Sequence, residues 1–392
     1  MEPKIRFKGF EGEWKAPLFS EMVERISASG QAGMLPGVEF EDIASGEGCF
    51  NKNIYQKECH KYGKLFYEGD ILFGKLRPYL KNIILADFNG VAIGDFWVLR
   101  SKGLDEKYLY TLVNSESFLK VANISSGSKM PRADWNLVST TKFVVPSAKD
   151  EQKAIGKYFT SLDSQISAST SRLASLKQMK VASLQAMFPQ EGETVPKIRF
   201  KGFEGEWKKV KLSEILTERH ENSTITDSLP QLSFTIADGV IRPEDRKSNK
   251  RDFLIKDIDN KRYLVTKVGD IIYNPANVVY GAIHRNSLMN GVVSPIYKIF
   301  TTMQDSNFIE CAVRRPSFIT KLAMCTEGTV TKLKTLKPEA FLNMEVCITP
   351  SLEEQKLIGN YFTSLDRQIS LQSQRLEKLK QIKSACLDKM FV

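Results

Sequence analysis

Apolar residues recur at heptad spacing in two stretches of the chain. In the first, one heptad position takes Phe159, Ile166, Leu173, Lys180 and Met187, and the other takes Ile155, Leu162, Ser169, Leu176 and Ser183. In the second, the same positions hold Phe362, Ile369, Leu376, Lys383 and Met390, and Ile358, Leu365, Gln372, Leu379 and Cys386. This is the seam of a coiled coil, with polar interruptions at matching layers in both copies. It predicts two helices of about 37 residues, or about 55 Å each at 1.5 Å per residue. Two such helices in one chain most simply pair with each other. Polar layers are expected at Ser169 with Gln372 and at Lys180 with Lys383, where they cost stability but set register. Start signals precede both runs, Pro146-Ser147 with Asp150 and Pro350-Ser351 with Glu354. Each offers a serine N-cap and an acid three residues on. Phe188-Pro189 and the polar run from Gln190 to Glu193 end the first helix.

The regions from about 16 to 145 and 209 to 349 change period and read as mixed, strand-rich domains. Short apolar runs at Asp70–Phe73, Asn82–Leu85, Phe96–Leu99, Asp270–Tyr273 and Pro295–Phe300 predict buried strands. Helices are expected at Glu106–Asn123 and Ser306–Met324. Gly69-Asp70-Ile71 is echoed by Gly269-Asp270-Ile271, and Ser126-Gly127-Ser128 by Glu327-Gly328-Thr329. The two domains therefore share a fold and differ in their loops.

Two frame segments repeat closely. Pro3 through Lys15 returns unchanged as Pro196 through Lys208, and most of Glu151 through Ser167 reappears from Glu354 to Ser370. The stretches between do not match. A chain that duplicates its frame and varies its contents is built to carry two different binding surfaces. Two roles stay open for the opening motif from Arg6 to Trp14 and its copy: partner docking, or packing of a strand and turn.

The length of 392 residues points to two or three domains. No apolar run reaches the roughly 18 residues that span a bilayer, and the charged start from Glu2 does not read as a signal peptide. Cys49, Cys59, Cys311, Cys325, Cys347 and Cys386 lack paired spacing and read as reduced thiols of a cytoplasmic protein. The net charge of +10 favours a polyanionic partner, with a solvated basic surface as the bland alternative. Cations and aromatics share loops at Gly74–Lys81, Gly127–Trp135, Asp245–Arg251, Asn274–Asn277, Tyr280–Arg285 and Thr331–Lys334. Lys and Arg neutralise phosphates, whereas Arg, Asn and Gln make paired hydrogen bonds to base edges.

The order of these motifs resembles the specificity subunit of a Type I restriction–modification system. The marks are the Arg6-Phe7 to Glu13-Trp14 opening, Gly69-Asp70-Ile71, Leu76-Arg77-Pro78-Tyr79-Leu80, Lys129-Met130-Pro131-Arg132, and the Glu-Gln-Lys-x-Ile start of both long helices. The resemblance implies an α+β fold: two similar strand-rich target-recognition domains separated by two long antiparallel coiled-coil helices, in a pseudo-two-fold arrangement. The expected boundaries are 1–146 and 191–350 for the two domains, the second opening with the repeat at 196–208, and 147–190 and 351–392 for the helices. Each domain is expected to read one half of an asymmetric bipartite site in double-stranded DNA, and the helices to set the spacer. Two modification (methyltransferase) subunits would dock on the frame, and restriction (endonuclease and translocase) subunits would join through the complex. No cofactor, metal or membrane is implied. The first-domain DNA contacts assigned are Lys75, Arg77, Tyr79, Lys129 and Arg132. Those of the second are Asn274, Asn277, Tyr280, Arg285, Lys332 and Lys334. The second domain departs from the pattern, with Asn274-Pro275-Ala276-Asn277 where the first has its Arg-Pro-Tyr segment.

Enzyme readings fare poorly. Asn274-Pro275-Ala276-Asn277 lacks the second proline and the aromatic of an amino-methyltransferase site. Glu151-Gln152-Lys153 and Glu354-Gln355-Lys356 match a nuclease-like Glu-x-Lys pattern but fall in the first turn of long helices, where acids suit the dipole and free amides. His60, His220 and His284 show no metal-ligand spacing. A pure scaffold without DNA contact is the remaining alternative, and the loop clusters argue against it.

Overall fold

The computed structural model describes residues 3–124, 130–246, 262–326 and 335–391. The chain divides into two compact units, one of Met1–Leu173 with Gln372–Val392 and the other of Ala174–Leu371. The expected α+β architecture is present in each: strand-rich layers, short helices and paired segments of the two long helices.

In the first unit, Val23–Ile26, Phe96–Ser101, Ile71–Gly74 and Ile83–Leu85 form one antiparallel sheet in that order. A second sheet runs Ser29–Gln31, Tyr62–Phe66, Gly90–Ala92 and Gly37–Val38, the last pair parallel. The second unit repeats this plan. Leu216–Glu218, Lys298–Thr302, Ile271–Tyr273 and Ile283–Arg285 make the first sheet. Asn222–Ser223, Tyr263–Thr266 and Gly291–Val293 make the second, extended by a parallel bridge from Gln231 to Val292. The central strands Ile71–Phe73 and Ile271–Tyr273 are wholly buried, as continuous apolar runs require when both faces are covered.

The repeated Gly-Asp-Ile motif has a backbone cause. Gly69 and Gly269 take positive φ (88° and 97°), which only glycine adopts freely. The following aspartate then folds back onto the turn. Asp70 accepts from Tyr67 N and from two nitrogens of Arg100, and Asp270 accepts from Lys267 N and from two nitrogens of Arg219. Arg100 lies in the strand Phe96–Ser101 whereas Arg219 follows the strand Leu216–Glu218, so each unit meets the same need by its own route.

The expected helices at Glu106–Asn123 and Ser306–Met324 are each broken in two. The first gives Glu106–Val113 and Glu116–Ala122, with the Ser115 hydroxyl accepting from Phe118 N at the restart. The second gives Ser306–Val313 and Pro316–Met324. Pro316 has no N–H and its ring clashes with the preceding turn, so one continuous helix is not available.

The long helices run Lys149–Ala186 and Leu352–Met390. None of the heptad positions named above is exposed, whereas most of the flanking positions are. Within the first unit, Tyr158 lies against Cys386 and Gln372 donates to Ser169 O at 3.1 Å. Within the second, Lys180 pairs with Asp366, and Ser183 with Tyr361. Contacts that rise on one helix as they fall on the other make each pairing antiparallel. The expected Lys180–Lys383 layer is absent. Lys180 pairs with Asp366 at 2.5 Å and Lys383 with Asp163 at 2.6 Å. The antiparallel register is the reason: positions late in one helix face positions early in the other, so each seam cation meets a carboxylate there.

The starts of these helices also differ from expectation. Ser351 Oγ accepts from Glu354 N, but the Ser147 hydroxyl donates to Glu13 O and caps nothing. Glu151 and Glu354 do not serve the helix amides either; they hold Arg6 and Arg199. The adjacent glutamines bridge. Gln152 accepts from Asp105 N and donates to Pro146 O, and Gln355 does the same with Asp305 N and Thr349 O. Gly156 and Gly359 then allow close approach to the short helices that start after Asp105 and Asp305. A Cβ on Gly156 would lie 2.7 Å from Tyr108 N, and one on Gly359 2.5 Å from Asp305 Oδ1.

Candidate nucleic-acid interface

The candidate site of the first unit begins where the buried strand Ile71–Gly74 reaches the surface. Lys75 N donates to Asp95 O, Ala133 N donates to Lys75 O, and Arg77 N donates to Pro131 O. Leu76 bridges Arg132. These bonds lace residues 75–77 to 131–133, bringing together two loops far apart in sequence. One 3₁₀ turn, Pro78–Leu80, follows. It is flanked by Arg77 at φ 50° and Lys81 at φ 53°, the only non-glycine residues with positive φ among those described. Left-handed backbone costs an ordinary side chain about 1–2 kcal/mol, and such strain gathers at functional sites. Pro78 points into the core, so Arg77, Tyr79 and Leu80 are left facing solvent.

Electrostatics link three of these side chains. Asp95 Oδ1 lies 3.3 Å from Lys75 Nζ, and Asp95 Oδ2 accepts from Arg132 Nε at 3.0 Å and lies 3.0 Å from Arg132 Nη2. Burial alone would push the Asp95 carboxyl up, but the hydrogen bonds from Arg132 and Lys75 hold it below the usual range. Arg77 makes no side-chain hydrogen bond to any described residue. Beside the second loop, Trp135 packs edge-on against Trp97 and carries the Arg25 guanidinium 4.8 Å above its ring. The first-unit assignments thus converge: Lys75, Arg77, Tyr79 and Arg132 share one surface. Lys129 lies outside the described residues. Sequence reasoning missed Asp95 and Arg25, which sit in other segments and are recruited only by strand pairing.

In the second unit a similar turn is built from different residues. Asn274 N donates to Ala282 O as Gly74 N does to Asn82 O, and Leu336 N donates to Pro275 O as Ala133 N does to Lys75 O. The 3₁₀ turn Val278–Tyr280 follows, closed by Gly281 at φ 85° in the place of Lys81. Asn274 Oδ1 accepts from Ala276 N, so this side chain shapes the turn. Asn277 and the exposed Tyr280 stand on the same turn. Arg285 does not join them. It lies half-buried beside Glu310, which His284 and Arg314 also approach. Lys332 and Lys334 lie outside the described residues.

Residues 204–381 match the family model described as Type I restriction modification DNA specificity domain. The chain is 24% identical over 312 residues to the Type I restriction enzyme MjaVIII specificity subunit of Methanocaldococcus jannaschii, covering 74% of this chain and 70% of that one. It is 24% identical over 124 residues to the Type I restriction enzyme EcoDI specificity subunit of Escherichia coli, covering 30% and 28%. Among solved structures, the Type I restriction–modification S subunit from M. genitalium superposes with a TM-score of 0.66 at 13% identity, over 100% of this chain and 99% of that one. The paired helix segments and the two units of like topology are the fold of that S subunit. Over most of its length the chain is similar to Type I restriction enzyme specificity subunits, and residues 204–381 carry the DNA specificity domain of that family.

Proposed function

We propose that this chain is the DNA sequence-recognition subunit of a Type I restriction–modification complex, with each unit reading one half of an asymmetric bipartite site. One observation carries the reading. A similar backbone turn leaves the same buried strand in both units, yet it presents Lys75, Arg77 and Tyr79 in one and Pro275, Asn277 and Val279 in the other. A related backbone turn with unlike side chains suits two readers of different sequences. Lys129, Arg132, Asn274, Tyr280, Arg285, Lys332 and Lys334 complete the proposed contacts.

In this reading the chain does no chemistry. It directs modification subunits, expected as two, and through them restriction subunits, in the cytoplasm. Among the described residues no helix is long and apolar enough to cross a membrane. The long helices set the unread spacer. Inserting four residues in phase into one of them adds about 6 Å, on the order of two base steps.

Methylome sequencing of cells expressing the chain with its modification subunit tests the proposal. It should return one split motif, and Arg132→Ala should degrade only the first half. The helix insertion should change the spacer and leave both halves intact. A scaffold without DNA contact would show no salt-dependent binding to duplex DNA, whereas a reader loses affinity steeply as salt rises.

A further inference from the structure

The two units serve as controls for each other, and the comparison singles out Asp95. In the first unit Asp95 stands two residues before Trp97, which pairs with Phe73. In the second, Lys298 pairs with Tyr273, which puts Ile296 at the position of Asp95. The shared loop bonds put Pro275 in the place of Lys75 and Thr335 in the place of Arg132. All three charged residues are therefore exchanged together for Pro275, Ile296 and Thr335, on a backbone that keeps two of the loop's hydrogen bonds, while the bond from Lys75 N to Asp95 O has no counterpart because proline lacks the N–H. The fold does not need the charges.

We propose that Asp95 is a specificity-determining positioning residue of the first unit, acting through Arg132 and Lys75. This rests on the reading that the turn faces DNA. A carboxylate repels phosphate, so a surface selected for affinity alone would not keep one between two cations. Asp95 instead accepts from Arg132 Nε on one oxygen, with Nη2 in ion-pair contact with the same oxygen, and so sets the plane of the guanidinium. The other edge, with Nη1, makes no hydrogen bond to a described residue. An arginine held by one edge presents paired donors along the other, the pattern that matches two adjacent acceptors on a base edge, as on the major-groove side of guanine. Lys75, drawn to the other carboxylate oxygen, is kept from following the backbone phosphates freely. Asp95 thus turns two general cations into an oriented reader of a G·C pair in the first half-site.

The test uses the full chain with its modification subunits, comparing wild type with Asp95→Ala and Asp95→Asn. Methylome sequencing should show one G·C position of the first half-site relaxed, with the second half and the spacer unchanged. Binding to a target duplex and to a scrambled duplex, measured across salt concentrations, should show discrimination falling about tenfold or more. Binding to the scrambled duplex should tighten, and its salt slope should steepen by about one counterion. A merely structural role would not steepen that slope. An intact first half-site with an unchanged slope in a folded variant overturns the proposal. Should Asp95→Ala unfold, Asp95→Asn keeps the volume and one acceptor oxygen while removing the charge, and its result decides. Wild type lacking any split motif would sink the proposed function itself, a failure distinct from an Asp95 variant that reads normally.

Discussion

Arg6 grips Glu151 through two hydrogen bonds of 2.7 and 2.8 Å, from Nε and Nη2 to the two carboxylate oxygens. Arg199 holds Glu354 in the same way at 2.6 and 2.8 Å. Arg6 Nη1 also donates to Gly12 O and Arg199 Nη1 to Gly205 O, which closes the opening loop around the guanidinium. The opening motif and the start of the long helix are two halves of one lock, and this explains why they are duplicated together across the divergent sequence between them. It also gives the opening motif a packing role, as a clamp on the helix start.

The lock is buried on its acidic side, with the Glu151 side chain 1% exposed. Removing one partner leaves a charge without compensation, so Glu151→Ala should lower the stability of the first unit by about 3–5 kcal/mol. An Arg6→Met, Glu151→Leu double variant should recover much of that, because an apolar pair replacing a buried ion pair is often neutral. Chemical denaturation of the three proteins checks both. Equal losses in the single and the double variant would show that the Arg6 carbonyl contacts matter more than the ion pair.

Gly156 carries the second prediction. Its neighbours leave no room for a methyl group, because Tyr108 N, Lys107 Cβ and Asp105 Oδ1 would all lie inside 3 Å of a Cβ added there. Helix propensity favours alanine over glycine by about 1 kcal/mol, so an unconstrained site would gain stability. Here overpacking against backbone should win by about 1–3 kcal/mol. Gly156→Ala should therefore lower the melting temperature, as should Gly359→Ala in the second unit. A rise in either would mean that the helix start shifts to accommodate the methyl.

Much of the frame is legible in the sequence because periodicity reports which face of a helix is buried. It does not report the partner's register. Matching heptad positions face each other only in a parallel pair; in the antiparallel pairing the seam lysines meet Asp366 and Asp163. The break at Arg315-Pro316 is written in the sequence but masked by apolar spacing; the break at Ser115 depends on one hydroxyl and carries a weaker signal. The loop at Lys75–Lys81 is visible as a cluster of cations and aromatics. Its acidic partner is not, because Asp95 is brought to Lys75 and Arg132 by strand pairing alone. The divergence at Asn274–Asn277 hides a similar turn, since two of the bonds that define it are made by the backbone in both units, although Asn277 at φ −122° does not repeat the left-handed Arg77.

Lys81 offers a test of the strain in that turn. It is left-handed at φ 53°, its counterpart is Gly281 at φ 85°, and its only side-chain ion pair among the described residues is a partly exposed one with Glu116 at 3.6 Å. Such a pair contributes about 0–1 kcal/mol, less than the cost of left-handed backbone in a non-glycine residue. Lys81→Gly should raise stability by up to about 1 kcal/mol in urea denaturation. A loss would show that the lysine side chain contributes more than its contact with Glu116.

The last prediction concerns acid. Asp42 has a wholly buried side chain, and its carboxylate accepts from Lys57 at 2.8 Å and from Glu39 N at 2.7 Å, with Lys52 Nζ 2.6 Å away. Glu39 in turn holds Lys57 and Lys61. Burial pushes the Asp42 carboxyl up, but the hydrogen bonds from Lys52, Lys57 and the Glu39 amide more than offset it, and its pKa lies below the ordinary 3.8. Hydrogen bonds from Lys57 and Lys61 lower Glu39 from 4.5. A carboxyl whose folded pKa is depressed contributes stability that is fully present above its unfolded value and lost as pH falls through the folded one. The first unit should therefore hold its stability down to about pH 4–5 and lose it progressively below. Asp42→Asn should cost about 2 kcal/mol near neutral pH, from charged hydrogen bonds weakened or lost. Its deficit against wild type should shrink on acidification, because wild type then protonates the same group. Urea denaturation of both proteins from about pH 7 to pH 3 measures this; a deficit that stays constant through that range would mean that the aspartate acts by shape and not by charge.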